Sequence, residues 1–318
     1  MDDVFDPHTA SQTDRFLSDV LEGLAKTQKT LPCQYFYDEA GSNLFEQITE
    51  LPEYYPTRTE IGILKTQADA IAAALGPGAL LVEYGAGAST KTRILLDALQ
   101  DPAGYVPIDV SEDFLLQTAD ALKAEYPDLT VRPIAADFMV ELGLPDDIDG
   151  TPVGFFPGST IGNLNDDEID QFLRAARRLL GPGSKFVIGL DLRKSPDILI
   201  PAYDDAQGVT AAFNLNLLKR INRDLGANFD LEAFQHQAIW NDEASRIEMH
   251  LRSLKAQTAQ IGGAEITFDS GETIHTENSR KFDLTKFVTL LSTTGWSLSK
   301  DWRDERGYFA VLLLEANT

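Results

Sequence analysis

An alternation of short apolar runs and amphipathic helical patterns between residues 58 and 192 restricts the fold more than any other feature of this sequence. The runs that have the length and composition of buried strands lie at 79–84, 105–109, 129–135, 153–157 and 185–192. Between them, apolar residues recur at helical spacing. Strands that alternate with helices in this way predict an α/β fold with a doubly wound parallel sheet.

The pattern changes after residue 193. A helix is predicted over 209–225, and apolar residues at 247, 249 and 251 then alternate with polar ones, which predicts an antiparallel, half-exposed sheet. A helix over 284–292 and two strands that can pair as a hairpin, 296–302 and 308–314, complete the chain. We therefore expect one domain made of 58–193 plus 281–318, and a second, smaller α+β lobe made of 1–57 plus 194–280.

The charge and the content of metal ligands restrict the possible partners. The chain carries 50 acidic and 27 basic residues, a net charge of −23, so we expect no nucleic acid and no membrane surface as partner. No obligatory protein partner is evident in the sequence. Cys33 is the only cysteine, which excludes an intrachain disulfide and a thiolate-cluster zinc site. No metal is expected, because His8, His236, His250 and His275 form no pair at i, i+3 or i, i+4.

The beginning of the sequence, MDDVFDPHTA, is acidic where a secretory signal requires positive charge before an apolar run. No stretch of the sequence approaches the roughly 18 apolar residues of a membrane span. We therefore expect a cytoplasmic location.

A glycine turn follows the first predicted strand of the alternation. Gly85 and Gly87 are separated by one residue, and a helix is predicted from Thr90 onward. Glycines at such a turn let backbone N–H groups and the N-terminus of the next helix approach a ligand closely. A nicotinamide site prefers a third glycine where Thr90 stands, and Lys91 can pair with a carboxylate or a phosphate. The turn predicts a nucleotide-like ligand.

Acidic residues follow the next two predicted strands. Asp109 ends the second strand, where a carboxylate can accept both hydroxyls of a ribose. Asp137 and Phe138 end the third strand and offer an acceptor for an adenine amino group and an aromatic face for its ring. An acidic chain with one local lysine suits a cationic sulfonium, so S-adenosylmethionine fits better than NAD, with a nicotinamide enzyme as the alternative.

Three further segments carry small, polar and aromatic residues that can contact a substrate. They are 156–163 after the fourth strand, the tyrosine-rich segment 51–60, and 203–214 at the start of the second lobe. Asn163 can supply an amide to a carboxylate or an amine. Since the aromatic Asn-Pro-Pro patterns of base-directed methyltransferases are absent from the sequence, we predict a small-molecule acceptor.

Together these segments resemble the histidine-specific Nα-methyltransferase family of ergothioneine biosynthesis, from about Tyr35 to the C-terminus. The motifs that carry the resemblance are YFYDEAGSNLFEQITELPEYYPTRTE, VEYGAGASTKTRILLDAL, GSTIGNL, AYDDAQGVTAAFN, RIEMHLR and TENSRKF. The resemblance implies a Rossmann-like methyltransferase sheet with a smaller substrate lobe, and S-adenosylmethionine as the cofactor.

The resemblance also implies roles for individual residues. Asn163 and Tyr203 are expected to bind the histidine carboxylate, Tyr54 to lie beside the reacting α-amine, and Glu277 with Ser279 to hold the imidazole. The residues expected to contact S-adenosylmethionine are Tyr37, Gly85, Gly87, Lys91, Asp109, Asp137 and Phe138.

The expected activity is successive Nα-methylation of L-histidine to the trimethylated betaine, hercynine. One alternative is an Nα-methyltransferase of another aromatic amino acid, which would share the carboxylate contacts and lack the imidazole pair. A second alternative is a nonenzymatic S-adenosylmethionine-binding protein.

Overall fold

The computed structural model describes residues 7–87, 89–140 and 142–317. Short 3₁₀ helices lie at Cys33–Phe36, Thr160–Asn163 and Leu231–Ala233. The α-helices are α1 (Pro7–Leu24), α2 (Glu39–Glu50), α3 (Tyr55–Leu75), α4 (Thr90–Ala98), α5 (Glu112–Glu125), α6 (Asp166–Leu180), α7 (Pro196–Tyr203), α8 (Val209–Leu225) and α9 (Leu284–Thr294). The strands are β1 (Lys29–Thr30), β2 (Ala79–Tyr84), β3 (Gly104–Asp109), β4 (Ile134–Ala135), β5 (Thr151–Phe156), β6 (Lys185–Asp191), β7 (Phe234–Asn241), β8 (Arg246–Ser253), β9 (Gln257–Ile261), β10 (Ala264–Phe268), β11 (Thr273–Arg280), β12 (Trp296–Arg303) and β13 (Phe309–Ala316).

The chain divides into two compact units. The larger unit contains Tyr55–Ser195, Ala244–Arg246 and Ser279–Thr318. The smaller unit contains Met1–Tyr54, Pro196–Glu243 and Ile247–Asn278. That one unit is a cofactor-binding domain and the other a substrate-binding lobe stays a prediction.

The larger unit is built on a sheet with the strand order β12-β13-β6-β5-β2-β3-β4. The pairs from β6 to β4 are parallel, and β13 is antiparallel to both β6 and β12. The order runs outward in both directions from β2, which confirms the predicted doubly wound α/β sheet. The carboxyl ends of the parallel strands therefore meet at one edge, where an open α/β sheet binds its ligands.

Both faces of this sheet are covered. Alternate residues of β2 belong to two different buried clusters, with Val82 and Tyr84 in one and Ala79 and Leu81 in the other. All six residues of β2 are buried. This double burial explains why the strand is a continuous apolar run in the sequence rather than an alternating one.

The strand predicted over 129–135 is much shorter than expected. Of the described residues 129–135, only Ile134 and Ala135, which form β4, pair with β3 as a ladder. Val131 forms a single isolated bridge with Tyr105. Pro133 lies between them and has no backbone N–H to donate, which interrupts the ladder of this edge strand.

The smaller unit has a sheet with the order β1-β11-β8-β7 and a separate antiparallel pair, β9 and β10. The expectation that this sheet is half exposed is wrong for β8. Glu248 and His250, which alternate with apolar residues, are only 7% exposed. They are buried because other polar side chains contact them, an environment that the alternation of residue types cannot indicate.

No helix in the described ranges 7–87, 89–140 and 142–317 has both the length and the apolar character needed to cross a membrane.

Candidate active site

The predicted glycine turn lies directly after β2. Gly85 has φ +71°, a conformation that favours glycine, and its amide donates to the carbonyl of Ile108 at 2.8 Å. Gly87 has no positive φ, and a Cβ added there would meet, beyond its chain neighbours, no atom of the described residues within 4 Å. Among the described residues, neither the backbone nor the packing explains the glycine at position 87, and its role in the close approach of a ligand stays a prediction.

Asp109 and Asp137 follow neighbouring strands of the sheet. Burial raises the pKa of the Asp109 carboxyl above its ordinary value, although hydrogen bonds from the amides of Ser111 and Val110 act in the other direction. The Asp137 carboxylate accepts a hydrogen bond from the amide of Met139 at 2.9 Å. Each carboxylate thus closes the turn after its own strand.

The ring of Phe138 packs in an aromatic cluster of the larger unit. Its centroid lies 5.4 Å from that of Phe156, 5.6 Å from Phe172 and 6.4 Å from Tyr84, with edge-on geometry in each case. Phe138 therefore contributes to the core beside β2 and β5, and its contact with adenine stays a prediction.

Lys91 has a partner that the sequence analysis did not identify. Its Nζ lies 2.5 Å from Oε2 of Glu60, whose side chain is 1% exposed. The same carboxylate accepts from the amide of Gly158, at 3.0 and 2.8 Å to its two oxygens. Glu60 thus connects α3, the first turn of α4 and the loop after β5, and it fixes the lysine predicted to bind a carboxylate of the cofactor.

Glu83, immediately before the glycine turn, is a second buried carboxyl that the sequence analysis did not select. Thr92 Oγ1 donates to its Oε2 at 2.6 Å, and the Tyr105 hydroxyl donates to the same oxygen. Burial raises the pKa of Glu83 to about 7. Glu83 thus connects the end of β2 to α4 and β3, on both sides of the predicted glycine turn.

The pKa of Glu83 makes stability depend on pH. Between its ordinary value of 4.5 and about 7, the folded chain binds more protons than the unfolded chain, so the free energy of unfolding decreases as pH rises through this interval. The decrease expected from this one group is at most about 3 kcal/mol. Glu83→Gln keeps an acceptor for Thr92 and Tyr105, and urea unfolding across this pH range should show a smaller decrease. An unchanged slope would contradict the assignment.

Asn163 ends the 3₁₀ helix Thr160–Asn163 that follows β5. The preceding residue, Gly162, packs against the backbone of Arg280, because a Cβ on Gly162 would lie 3.0 Å from the Arg280 carbonyl oxygen. Arg280 directly follows Ser279 at the end of β11. Within the larger unit, the turn that carries Asn163 therefore packs beside the segment that carries Ser279.

In the smaller unit, three predicted tyrosines share one aromatic cluster. The rings of Tyr54 and Tyr203 meet edge-on with centroids 5.9 Å apart, and Phe45 lies 6.3 Å from Tyr54. Tyr37 meets Phe45 at 5.7 Å and Phe213 at 5.8 Å. The structure thus brings together Tyr37 and Tyr54, which belong to one sequence motif, with Tyr203 from a distant motif.

A buried polar network fixes the end of α7, where Tyr203 lies. His236 Nε2 is 2.8 Å from the carbonyl oxygen of Tyr203, and Asn214 Nδ2 is 2.8 Å from His236 Nδ1. Asn214 Oδ1 also accepts from Thr276 Oγ1 on β11. Since burial lowers the pKa of His236, the neutral ring with its proton on Nε2 satisfies both contacts. His236 therefore supports Tyr203 from the core.

Glu277 lies on β11 beside a group of side chains with metal-ligand chemistry. Among the residues that the structure describes, Glu248, His250 and His275 place one potential ligand atom each within 4.8 Å of one another. They were missed because a search at i, i+3 and i, i+4 cannot find ligands on adjacent strands. The rings of His250 and His275 are stacked 4.7 Å apart at 17°, and His275 Nε2 lies 3.1 Å from the carbonyl oxygen of Glu277.

Nearly parallel imidazole rings direct their nitrogen lone pairs along planes that do not converge on one ion. Glu248 also accepts from Asn241 Nδ2 at 2.9 Å. The group is therefore not preformed around a metal, and that no metal is bound stays a prediction.

Comparison with known proteins identifies the class. Residues 16–316 match the family described as "Histidine-specific methyltransferase, SAM-dependent". A histidine N-alpha-methyltransferase of Mycolicibacterium smegmatis is 44% identical over 300 residues, 93% of each chain. Ergothioneine biosynthesis protein 1 of Neurospora crassa is 30% identical over 298 residues, which cover 91% of this chain and 33% of that protein.

The fold agrees with this comparison. A solved S-adenosylmethionine-dependent methyltransferase of Clostridium acetobutylicum superposes with a TM-score of 0.51 over 87% of this chain and 99% of its own, at 11% identity. The family match and the fold together define an S-adenosylmethionine-dependent methyltransferase with a Rossmann-like sheet. The chain belongs to the histidine-specific methyltransferase family, which confirms the resemblance, the enzyme class and the cofactor predicted from the sequence.

Proposed function

We propose that the protein transfers methyl groups from S-adenosylmethionine to the α-amine of L-histidine, successively to the trimethylated betaine, within ergothioneine biosynthesis. The observation that carries this proposal is the family match over residues 16–316. It covers the glycine turn and all the residues to which we assign a role.

The chain offers a suitable environment for the cofactor at the carboxyl edge of the sheet. The open space at Gly87 suits close approach of the cofactor to the backbone. The carboxylate of Asp109 suits the ribose hydroxyls, and the ammonium of Lys91 suits the methionine carboxylate. Lys91 uses one of its three N–H donors on Glu60, so it retains donors for a second carboxylate. When bound, S-adenosylmethionine would supply a methyl group on a cationic sulfur. The amine lone pair forms a bond to the methyl carbon, and the sulfur leaves with the electrons of the C–S bond as S-adenosylhomocysteine.

The residues of this chain have to position the amine, since such a displacement needs alignment rather than a covalent enzyme intermediate. We assign the histidine carboxylate to Asn163 and Tyr203, and the position beside the α-amine to Tyr54. The amine must lose its proton before it reacts, and the positive sulfonium nearby favours the neutral amine. For repeated transfers the amine has to turn, so the carboxylate and the ring must be held more firmly than the amine.

We assign the imidazole to Glu277 and Ser279. Their spacing of two residues on β11 puts both side chains on one face of the strand. A carboxylate accepts from a ring N–H, and a hydroxyl can donate to the other ring nitrogen. This pair distinguishes histidine from aromatic amino acids whose rings have no hydrogen-bonding groups.

The proposal is tested by incubating the protein with S-adenosylmethionine and an equimolar pool of free amino acids, followed by mass spectrometry. Histidine should gain one, two and finally three methyl groups, and S-adenosylhomocysteine should accumulate in proportion. Methylation of a different amino acid in preference to histidine would contradict the proposed substrate.

The role of Asp109 gives a separate test of the cofactor site. Asp109→Ala should weaken S-adenosylhomocysteine binding by roughly 10- to 100-fold, the scale of hydrogen bonds to a charged group. Calorimetry measures this, with Asp113→Ala, an exposed acid in the first turn of α5, as the control. If the unaltered protein bound NADH more tightly than S-adenosylhomocysteine, the assignment of this site to S-adenosylmethionine would be wrong.

A further inference from the structure

A buried cluster of charges lies at the end of β6 in the larger unit. The Asp191 carboxylate accepts from Lys194 at 2.5 Å, from Lys281 at 2.7 Å and from the Tyr55 hydroxyl at 2.9 and 2.7 Å. The side chains of the two lysines are 4% and 0% exposed, and that of Asp191 is 1% exposed. Two ammonium groups therefore share one carboxylate out of contact with solvent.

This arrangement is not explained by packing. Removing an ammonium from water costs several kcal/mol, and a buried ion pair is often no more stable than apolar side chains of the same volume. Asp191 can neutralise only one of the two lysines. Lys194 also lies over the ring of Tyr55, 4.4 Å from its centroid, and burial lowers the pKa of this lysine to about 8. Lys281 has a different additional contact.

Lys281 Nζ donates to Ser279 Oγ at 2.7 Å. The backbone of Lys281 is fixed on both sides, because its amide donates to the carbonyl of Ser245 and its carbonyl accepts from the Ser245 hydroxyl, both at 2.8 Å. The next residue, Phe282, donates to the carbonyl of Asp191 at 2.8 Å. The ammonium is thus held against Ser279 by its own backbone and by Asp191.

An ammonium group has donors and no acceptor, so Ser279 Oγ must accept from Lys281. The hydroxyl proton is then directed to another acceptor, and the positive charge beside the oxygen strengthens it as a donor. The same charge disfavours a cationic ring at this hydroxyl.

We propose that Lys281 is a positioning residue that makes Ser279 a hydrogen-bond donor, so that the protein binds histidine with a neutral imidazole whose unprotonated nitrogen accepts from Ser279. This inference rests on the imidazole role proposed above for Ser279. Glu277, which can only accept when ionised, takes the ring N–H, and together the two residues select one tautomer of the ring.

The charge balance of the cluster supplies a matched pair of variants. Lys281→Met leaves Asp191 paired with Lys194, and Lys194→Met leaves it paired with Lys281, so neither change strands the carboxylate. Only the first removes the contact to Ser279. Lys281→Arg restores a cationic donor and serves as the rescue. The other charged or titratable groups of the larger unit that act on these two lysines, Asp191, Tyr55 and Asp304, are the same in both methionine variants, and Glu277 on the strand of Ser279 is unchanged.

The measurement is the dissociation constant of histidine, with S-adenosylhomocysteine present, about one pH unit above and one below the ordinary ring pKa of about 6.5. For the unaltered protein the constant should rise roughly tenfold at the lower pH, since only about a tenth of the free ring is neutral there. Lys281→Met should reduce this ratio to about threefold or less. Lys194→Met and Lys281→Arg should keep it near tenfold.

Retention of the tenfold ratio in Lys281→Met, or an equal loss in Lys194→Met, would overturn the role of Lys281. Should Lys281→Met fail to fold, ¹⁵N spectra of labelled histidine bound to the unaltered protein decide the matter. A neutral ring in a single tautomer at the lower pH supports the inference, and a bound imidazolium overturns it. These outcomes can be distinguished from a failure of the proposed function. If histidine were not the substrate, the unaltered protein would bind no histidine at either pH.

Discussion

Replacing Glu277 by alanine should lower kcat/KM for histidine by roughly 100- to 10,000-fold and should narrow the preference for histidine over tryptophan or phenylalanine. The expected loss is large because the ring N–H of bound histidine would be buried without a hydrogen-bond acceptor. Affinity for S-adenosylhomocysteine should change little, since the residues assigned to the cofactor are untouched.

Two further variants separate this role from a structural one. Glu277→Gln keeps an oxygen that accepts from the ring N–H and should retain part of the activity toward histidine. Asn163→Ala should reduce kcat/KM for every amino acid by a similar factor, because the carboxylate is common to all of them. If Glu277→Ala reduced histidine and tryptophan turnover equally, Glu277 would be structural and the histidine assignment would lose its main physical support.

Features that depend on local chemistry could be predicted from the sequence. The Asn165-x-x-Glu168 spacing alone predicts a capping box at the start of α6, and both of its hydrogen bonds are present, joining residues only three positions apart. The strand predicted at 79–84 has the observed bounds, since a fully buried parallel strand is a continuous apolar run that ends at Gly85. The predicted β12 and β13 hairpin is likewise confirmed by its antiparallel register.

Features that depend on distant partners could not be predicted in this way. Glu60 lies on the buried side of a helix, and its partner Gly158 is 98 residues away. Lys281 looks like a surface lysine after a polar strand, and only the position of Asp191 at the end of β6 shows why it is buried. The family resemblance assigns ligand contacts to residues of its motifs and does not reveal the buried groups that orient them.

Glu60 provides the other large expected effect. Its carboxylate neutralises Lys91, whose side chain is 16% exposed, and accepts the amide of Gly158. Glu60→Ala should lower the free energy of unfolding by roughly 3–5 kcal/mol, since breaking a buried pair leaves an uncompensated charge. S-adenosylhomocysteine affinity should also fall, because the ammonium of Lys91 would lose the contact that directs it. Urea unfolding and calorimetry measure the two effects.

A double-mutant cycle shows whether Glu60 acts through Lys91. Lys91→Met alone leaves a buried carboxylate with only the Gly158 amide as a described donor, so it should also destabilise the fold. The cycle compares Glu60→Gln, Lys91→Met and the double variant, in which both charges are removed and the glutamine oxygen still accepts from Gly158. The double variant should therefore be more stable than Lys91→Met, with a coupling free energy above about 1 kcal/mol. Additive losses, or a loss below about 1 kcal/mol in Glu60→Ala, would mean that the pair is screened by solvent and that Lys91 is directed by other contacts.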